Sequence, residues 1–467
     1  MAELFVFTPF RVTMLLMILV VAFAVINFSK VALQEEPRKS VYWRYLFGTL
    51  GSVFIVIVSN HLLILWLAWV CISLCVHNLL LFYPERPRAL LAAHKKFIIA
   101  RIAEISLLGG FLLYGFHVDS FYLSDLLSRA PELDMSAPAI VAGSTLIAVA
   151  VLLKCAQLPA HGWLIQVVES PTPVSALLHA GVVNLGGFLL IVLAPIVLAV
   201  DAARWVILVV AGLGSIVAAL IMTTRISYKV RLAWSTSAQM GLMLVEIALG
   251  MYELAVVHIV AHSFYKAYAF LSSGSAVNET GVRRLAVAGR VNVWDWLIAG
   301  LFTVLMIITM QQFVSSVLVE QFRVHKQESL AMLLLLAVAV TMFIAQRHSV
   351  LHKGALVPYL FAALGIVALY FSLKFLASWV VPRHVNTPAV FLSLADIWIS
   401  TLVLVLAFLS LLLHQFPHTQ WAQKLSMVLF AGLYIDEWAT RLTLTLWPIH
   451  QERVKGVVVE QSNGGSQ

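Results

Sequence analysis

Residues 138–179 read PAIVAGSTLIAVAVLLKCAQLPAHGWLIQVVESPTPVSALLH, and the fold turns on this stretch. From Pro138 to Leu153 every residue is apolar or small, which predicts a helix. The run ends on Lys154. Pro159 breaks any continuation, because proline lacks an N–H and clashes with the preceding turn. Pro171 and Pro173 then open a second apolar helix, which carries Ser175 and His179. Inside a membrane such a break is tolerated only where the backbone lines a polar cavity or is buried in protein. Two readings of the lysine and histidine stand on position alone. One is a snorkelling lysine beside a hydrogen-bonded core histidine; the other is a polar site at membrane depth.

The rest of the chain makes lipid the solvent. A soluble globular protein carries about 25% charged residues. This chain of 467 residues carries 11%, with 61% hydrophobic and a mean hydropathy of +0.96. That composition excludes a soluble enzyme, a disordered scaffold and a nucleic-acid binder. The net charge of +8 fits Lys/Arg-rich cytoplasmic loops. Cys71, Cys75 and Cys155 are too few for an iron–sulfur cluster, and no clustered Cys/His set has zinc spacing. No dinucleotide fingerprint, Walker loop or H-E-x-x-H is present. The sequence therefore predicts no cofactor, metal or catalytic site on this chain.

Apolar runs long enough to span recur at 10–28, 44–60, 62–83, 97–116, 138–156, 174–197, 204–223, 230–250, 253–274, 294–313, 328–346, 354–376 and 390–413. They predict an all-α polytopic protein of about thirteen transmembrane helices. The first run lacks a basic leader and is expected to be a retained membrane helix. Trp421–Trp447 mixes apolar residues with Lys424, Asp436, Glu437 and Arg441 and predicts an amphipathic helix on the membrane surface or against a partner. Residues 462–467 are polar and Gly-containing, a mobile end.

Alternating the loops puts Lys30, Arg38, Lys39, Arg44, Arg86, Arg88, Lys95, Lys96, Arg225, Lys229, Arg231, Arg283, Arg284, Arg290, Arg347 and Lys353 on one side. The other side holds Arg129, Arg204, Arg323, Lys326 and Arg383, with an acidic loop over 117–137. The basic side is expected in the cytoplasm, with the N-terminus outside and the C-terminal helix inside.

A charge at the bilayer centre costs roughly 2.5–3.5 kcal/mol on insertion scales, so the few charges inside the runs need reasons. His258, His262 and Lys266 are spaced i, i+4, i+8 and stack on one helix face. Histidine titrates near neutral pH and a buried lysine is readily deprotonated, so the stripe suits a proton relay. A structural polar seam between helices is the alternative. Arg101 and Glu104 form an i, i+3 pair; alternatively Glu104 faces Lys154. Glu246 can pair with Lys266 or with a histidine, and Lys374 sits near a helix end where it can snorkel.

These residues carry a family resemblance. Lys154-Cys-Ala-Gln-Leu-Pro-Ala-His-Gly-Trp-Leu164, continuing to Glu169-Ser-Pro-Thr-Pro-Val-Ser-Ala-Leu-Leu-His179, resembles the signature of antiporter-like membrane subunits. Such subunits occur in respiratory NADH:quinone oxidoreductase and in multi-subunit (Mrp-type) cation/proton antiporters. Lys229-Val-Arg-Leu-Ala-Trp-Ser-Thr-Ser-Ala-Gln-Met-Gly241 and the stretch from His258 to Lys266 agree, with a weaker likeness over Asn60–Tyr114. The resemblance implies two inverted five-helix repeats, each with a broken helix and a buried lysine. It places the repeats at 44–197 and 198–346, after an N-terminal helix and loop (1–43) and before C-terminal helices (347–420) and the amphipathic tail (421–467). It also implies a proton pathway through Glu104, Lys154, His179, Lys229, His258, His262 and Lys266, to which the charge of Glu246 is added, with Arg101 supporting Glu104.

The chain departs from the family pattern at three points. Val70 follows Trp69 where a glutamate is usual, no lysine occurs in 294–313, and the first two family helices are missing. His179-Ala-Gly-Val-Val-Asn-Leu-Gly-Gly-Phe188 and the tail Gly432-Leu-Tyr-Ile-Asp-Glu437 look like the membrane subunit of the bacterial DAB inorganic-carbon uptake complex (DabB type). That branch implies a large cytoplasmic DabA-type partner, related to β-carbonic anhydrases, which carries zinc. Proton flow through the membrane subunit would then drive CO2 hydration to bicarbonate. The competing readings are a proton-pumping subunit of a respiratory, hydrogenase or antiporter complex, and a non-transporting anchor. Lys/His stripes suit H⁺ without excluding Na⁺.

Overall fold

The structure is a computed structural model and describes residues 3–275, 293–317, 329–345, 356–381 and 392–448. The expectations for Arg283, Arg284, Arg290, Arg323, Lys326, Arg347, Lys353, Arg383 and the 462–467 end lie outside the described residues. Among the described residues the regular structure is helical, joined by turns and short irregular segments, with two isolated β-bridges, Phe5 with Ser59 and His61 with Tyr122. In order the helices are α1 (Pro9–Ala32), α2 (Lys39–Val58), α3 (Leu62–Leu80), α4 (Pro87–Val118), α5 (Leu123–Arg129) and α6 (Pro138–Lys154). There follow α7 (Gly162–Gln166), α8 (Thr172–Leu177), α9 (Leu185–Val192), α10 (Ala194–Val197), α11 (Asp201–Thr224), α12 (Tyr228–Ala248) and α13 (Tyr252–Leu271). The last six are α14 (Val293–Val317), α15 (Leu330–Ala345), α16 (Leu356–Ser378), α17 (Leu394–Gln415), α18 (Gln420–Phe430) and α19 (Ile435–Leu446).

Among the described residues each apolar run falls on helical structure, the 174–197 run being divided among α8, a π-turn, α9 and α10. Among the described residues, 10 helical segments are long and apolar enough to cross a membrane, and α6 and α15 are shorter apolar helices. The α12 helix meets neither description, because it carries Lys229, Arg231, Gln239 and Glu246. It needs no apolar exterior: it packs among α7, α9, α11 and α13 and buries most of its length. The outward faces of the long helices expose Leu16, Leu19, Phe23, Phe116, Phe361 and Phe408, the surface that lipid covers.

Close helix contacts rest on small residues, as is usual in membranes. A Cβ on Gly110 would come within 2.9 Å of the Gly143 carbonyl oxygen, which lets α4 lie against α6. A Cβ on Gly241 would sit 2.8 Å from the Ala211 carbonyl oxygen, which sets α12 against α11.

Three expectations change. The 97–116 span starts ten residues earlier, at Pro87, so Lys95 and Lys96 belong to a helix and not to a loop. Pro87 is tolerated at the helix start because the N–H there has no intrahelical partner. Lys374 is buried and does not snorkel. The tail is two helices, α18 and α19, joined by left-handed residues Gly432, Leu433 and Tyr434 (φ 67°, 54° and 57°). Gly432 adopts that backbone freely, and Arg225 lies 3.3 Å from where its Cβ would be. Instead of lying apart, the tail packs on α4 and α11 of its own chain.

Candidate functional site

Between Lys154 and Thr172 the helix is broken, as the prolines predict. The segment turns through Ala156, winds into the short α7, passes a 3₁₀ turn at Val167–Glu169 and restarts as α8 behind Pro171, with Pro173 in its first turn. Side chains stabilise the irregular backbone. Gln157 donates to the carbonyls of Cys155 (3.0 Å) and Ser237 (3.1 Å). Ser170 and Ser175 donate to the Val167 carbonyl at 2.7 and 3.1 Å. The helix bulges again as a π-turn at Leu178–Val182, which carries His179, a distortion frequent at functional sites.

Two polar clusters flank that π-turn. The first lies among α3, α4 and α6. Lys154 holds its ammonium 4.4 Å from the Trp69 ring centroid, a favourable cation–π placement. Glu104 is buried and pairs with Arg101 at 2.7 Å, so the local i, i+3 pair is what forms. Glu104 and Lys154 line one cavity of about 20 Å³, together with Lys96, Ser73 and Trp163, room for a single water. Lys96 donates to the carbonyl and hydroxyl of Ser73, and Arg101 reaches the same hydroxyl at 3.2 Å. Two cations thus converge on a serine one helical turn beyond Val70, the position where the sequence lacks an acid.

The second cluster lies between the π-turn, α12 and α13. The Thr236 hydroxyl donates to the Leu232 carbonyl (3.1 Å) and accepts from His179 Nδ1 (3.0 Å). Nε2 of His179 is left buried and unpaired. The ring stacks on Phe270 at 4.4 Å. His262 donates from Nε2 to the His179 carbonyl (3.3 Å), and its Nδ1 meets the Gln239 amide at 2.7 Å. An amide presents either an oxygen or an NH₂, so Gln239 can serve His262 in both protonation states. Lys266 donates to the Leu232 carbonyl (2.9 Å) and to Ser235 (2.8 Å). No carboxylate lies within ion-pair distance of Lys266 among the described residues.

The predicted stripe therefore faces inward, and its upper end is anchored: Glu246 pairs with His258 at 3.0 Å, rather than with Lys266. His258 and His262 rings lie 6.1 Å apart. Lys229 sits apart from the stripe and donates to Thr172 at 2.8 Å, at the restart of the broken helix. Leu178 and Val182 of the π-turn line the first cavity while His179 between them belongs to the second cluster. One turn of helix therefore separates the two groups. The arrangement offers two groups of buried titratable nitrogens: His179, His262 and Lys266 each hydrogen-bond a hydroxyl, amide or carbonyl, and Lys154 faces a cavity with room for a water, the kind of partners that proton transfer requires.

Sequence reading missed Lys96, hidden in a basic run, and Asp436, which reads as a surface acid. Asp396, inside the last long run, also passed unnoticed. It is buried and accepts from Ser329, from the backbone N–H of Leu330 and Ala331 and from that of Leu392, which pins the start of α15 to α17. Its signal was the Ser393-x-x-Asp396 cap, in which the serine accepts from the Asp396 N–H.

Residues 59–344 match the family model described as NADH:quinone oxidoreductase/Mrp antiporter, TM. The chain is 42% identical over 439 residues to the "Probable inorganic carbon transporter subunit DabB" of Hydrogenovibrio crunogenus, covering 93% of this chain and 82% of that one. It is 33% identical to the DabB2 protein of Halothiobacillus neapolitanus, over 90% of this chain and 76% of that one. Among solved structures, a chain of the Mrp complex from Dietzia sp. DQ12-45-1b superposes with a TM-score of 0.58 at 17% identity. That superposition covers 96% of this chain and 53% of the Mrp chain, and so shows the shared fold over about half of the latter's length. With the broken helix, the buried lysines and these matches in place, the chain belongs to the NADH:quinone oxidoreductase/Mrp antiporter membrane family, beside the DabB inorganic-carbon transporter subunits.

Proposed function

We propose that this chain is the proton-conducting membrane subunit of an inorganic-carbon uptake complex, coupling an ion gradient to CO2/bicarbonate accumulation on a partner subunit. The observation that carries the reading is the pair of buried polar clusters on the two sides of one π-turn, Lys154 with Glu104 and Lys96 on one and His179, His262 and Lys266 on the other, enclosed by apolar helices. The identity to DabB along 93% of the chain supports inorganic carbon over respiration, since likeness to a chloroplast NAD(P)H-quinone oxidoreductase subunit 5 covers only 58%. In this proposal the partner is a large cytoplasmic DabA-type protein that binds zinc and performs the hydration. The chain sits in a bacterial inner membrane with α19 on the cytoplasmic side, and 44–197 and 198–346 form two inverted repeats.

Two measurements test it. Purification of the native complex should bring along a zinc protein; recovery of quinone-reductase subunits instead would overturn the assignment. In proteoliposomes Lys154→Ala and Lys266→Ala should each lower proton flux by about 100-fold, the size of a lost proton-transfer step. Parental flux in both variants would leave only a membrane anchor.

A further inference from the structure

The C-terminal helix puts a carboxylate into the broken segment. Both oxygens of Asp436 lie 2.9 Å from Nζ of Lys95, and one accepts from Gln166 at 2.9 Å. Asp436 is 34% exposed while Lys95 is 1% exposed, so the pair reaches from water to the interior. Gly162 makes room: a Cβ there would lie 1.6 Å from Oδ1 of Asp436. The residue before it, His161, is wholly buried. Its Nδ1 meets the Pro159 carbonyl at 3.3 Å, which requires the N–H on that nitrogen. Nε2 of His161 is left buried, unpaired and able to accept a proton. The charged groups that act on this ring are Asp436 of α19, Lys95 of α4 and Arg225 after α11, and Trp234 of α12 packs 4.7 Å away. Two residues further on, Trp163 lines the cavity of Lys154.

We infer that Asp436 and His161 form the proton-exchange site at the mouth of the path on the side of the C-terminal helix, with Lys95 as the positioning residue. The inference rests on the proton-conducting reading above. Asp436 takes a proton from bulk water and passes it to Nε2 of His161 through an intervening water, since the two side chains are not directly hydrogen-bonded. The carboxylate left behind is held by Lys95, which keeps its own protons. The imidazolium then releases the Nε2 proton to water on the inward side, toward the Lys154 cavity, while Nδ1 keeps its proton on the Pro159 carbonyl, so the ring returns to its starting tautomer. The C-terminal helix is thus part of the conducting apparatus and not only a cover.

The test uses the full chain with its native partner in proteoliposomes, reading flux under an imposed potential and thermal unfolding of the same samples. Asp436→Asn keeps the shape and loses the titratable group; it should reduce flux by about 100-fold, and Asp436→Glu should restore most of it. His161→Gln leaves the Lys95–Asp436 pair untouched and should cause a loss of the same size. Parental flux in Asp436→Asn or in His161→Gln would overturn the inference. So would a loss in Asp436→Asn that the glutamate fails to restore and that tracks a lowered unfolding temperature, since that is the behaviour of a clamp. If Lys154→Ala and Lys266→Ala abolish flux while Asp436→Asn and His161→Gln do not, only this inference falls. If the lysine variants also conduct normally, the proton-conducting reading falls with it.

Discussion

Lys96 shows what one buried cation changes. In the sequence it stands beside Arg86, Arg88 and Lys95 and looks like one more loop charge. The helix that begins at Pro87 carries it to the wall of the Lys154 cavity, where Ser73 receives it. It bonds Ser73, one helical turn beyond Val70, so this side of α3 presents a cation's partner and no carboxylate to the cavity. Removing Lys96 relieves a buried charge but leaves the Ser73 hydroxyl without that donor, a cost of no more than about 1–3 kcal/mol. Lys96→Met should therefore shift thermal unfolding only modestly while cutting proton flux about tenfold or more. Unchanged flux would make Lys96 an anchor for Ser73 alone. The stripe His258, His262 and Lys266 was legible because its spacing is a property of the helix itself. The pairing of Glu246 with His258, and of Lys95 with Asp436, was not, because each depends on which helices meet.

At the scale of elements, Pro159, Pro171 and Pro173 announced the broken helix, since proline acts through local backbone chemistry. The π-turn at His179 left only a weak mark, Gly181, because a lone glycine is tolerated inside a helix and does not announce a bulge. The kink between α18 and α19 was equally hidden, because Leu433 and Tyr434 hold left-handed backbone that only packing enforces. Close approach of elements can be probed directly. A Cβ on Gly186 would lie 2.4 Å from Sγ of Cys155 and 3.2 Å from the Val151 carbonyl oxygen. Gly186→Ala should push α9 off the end of α6 and destabilise the protein by about 1–3 kcal/mol, the usual cost of overpacking. A lowered unfolding temperature in detergent is the expected result. Cys155→Ala in the same chain should recover part of the loss if the sulfur is the obstacle.

For the whole molecule, the distribution of charge predicts how the chain sits in its membrane. Arg88 is exposed at one end and Ser136 lies in the acidic connection at the other. In a Cys71→Ser background, Ser136→Cys should react with an impermeant thiol reagent from outside intact cells, and Arg88→Cys only after permeabilisation; the reverse pattern would invert the molecule. The closure of the broken segment by α19 also has a consequence in time. Lys95 and Asp436 are 341 positions apart. At a synthesis rate of about 5–20 residues per second, roughly 20–70 s pass between the appearance of the first and the second. During that interval the nascent chain already holds its lysines in the bilayer but has no finished mouth. If Asp436 completes the mouth as proposed, synthesis must pass that residue before the pathway can exchange protons, and a copy abandoned earlier would not become a leak.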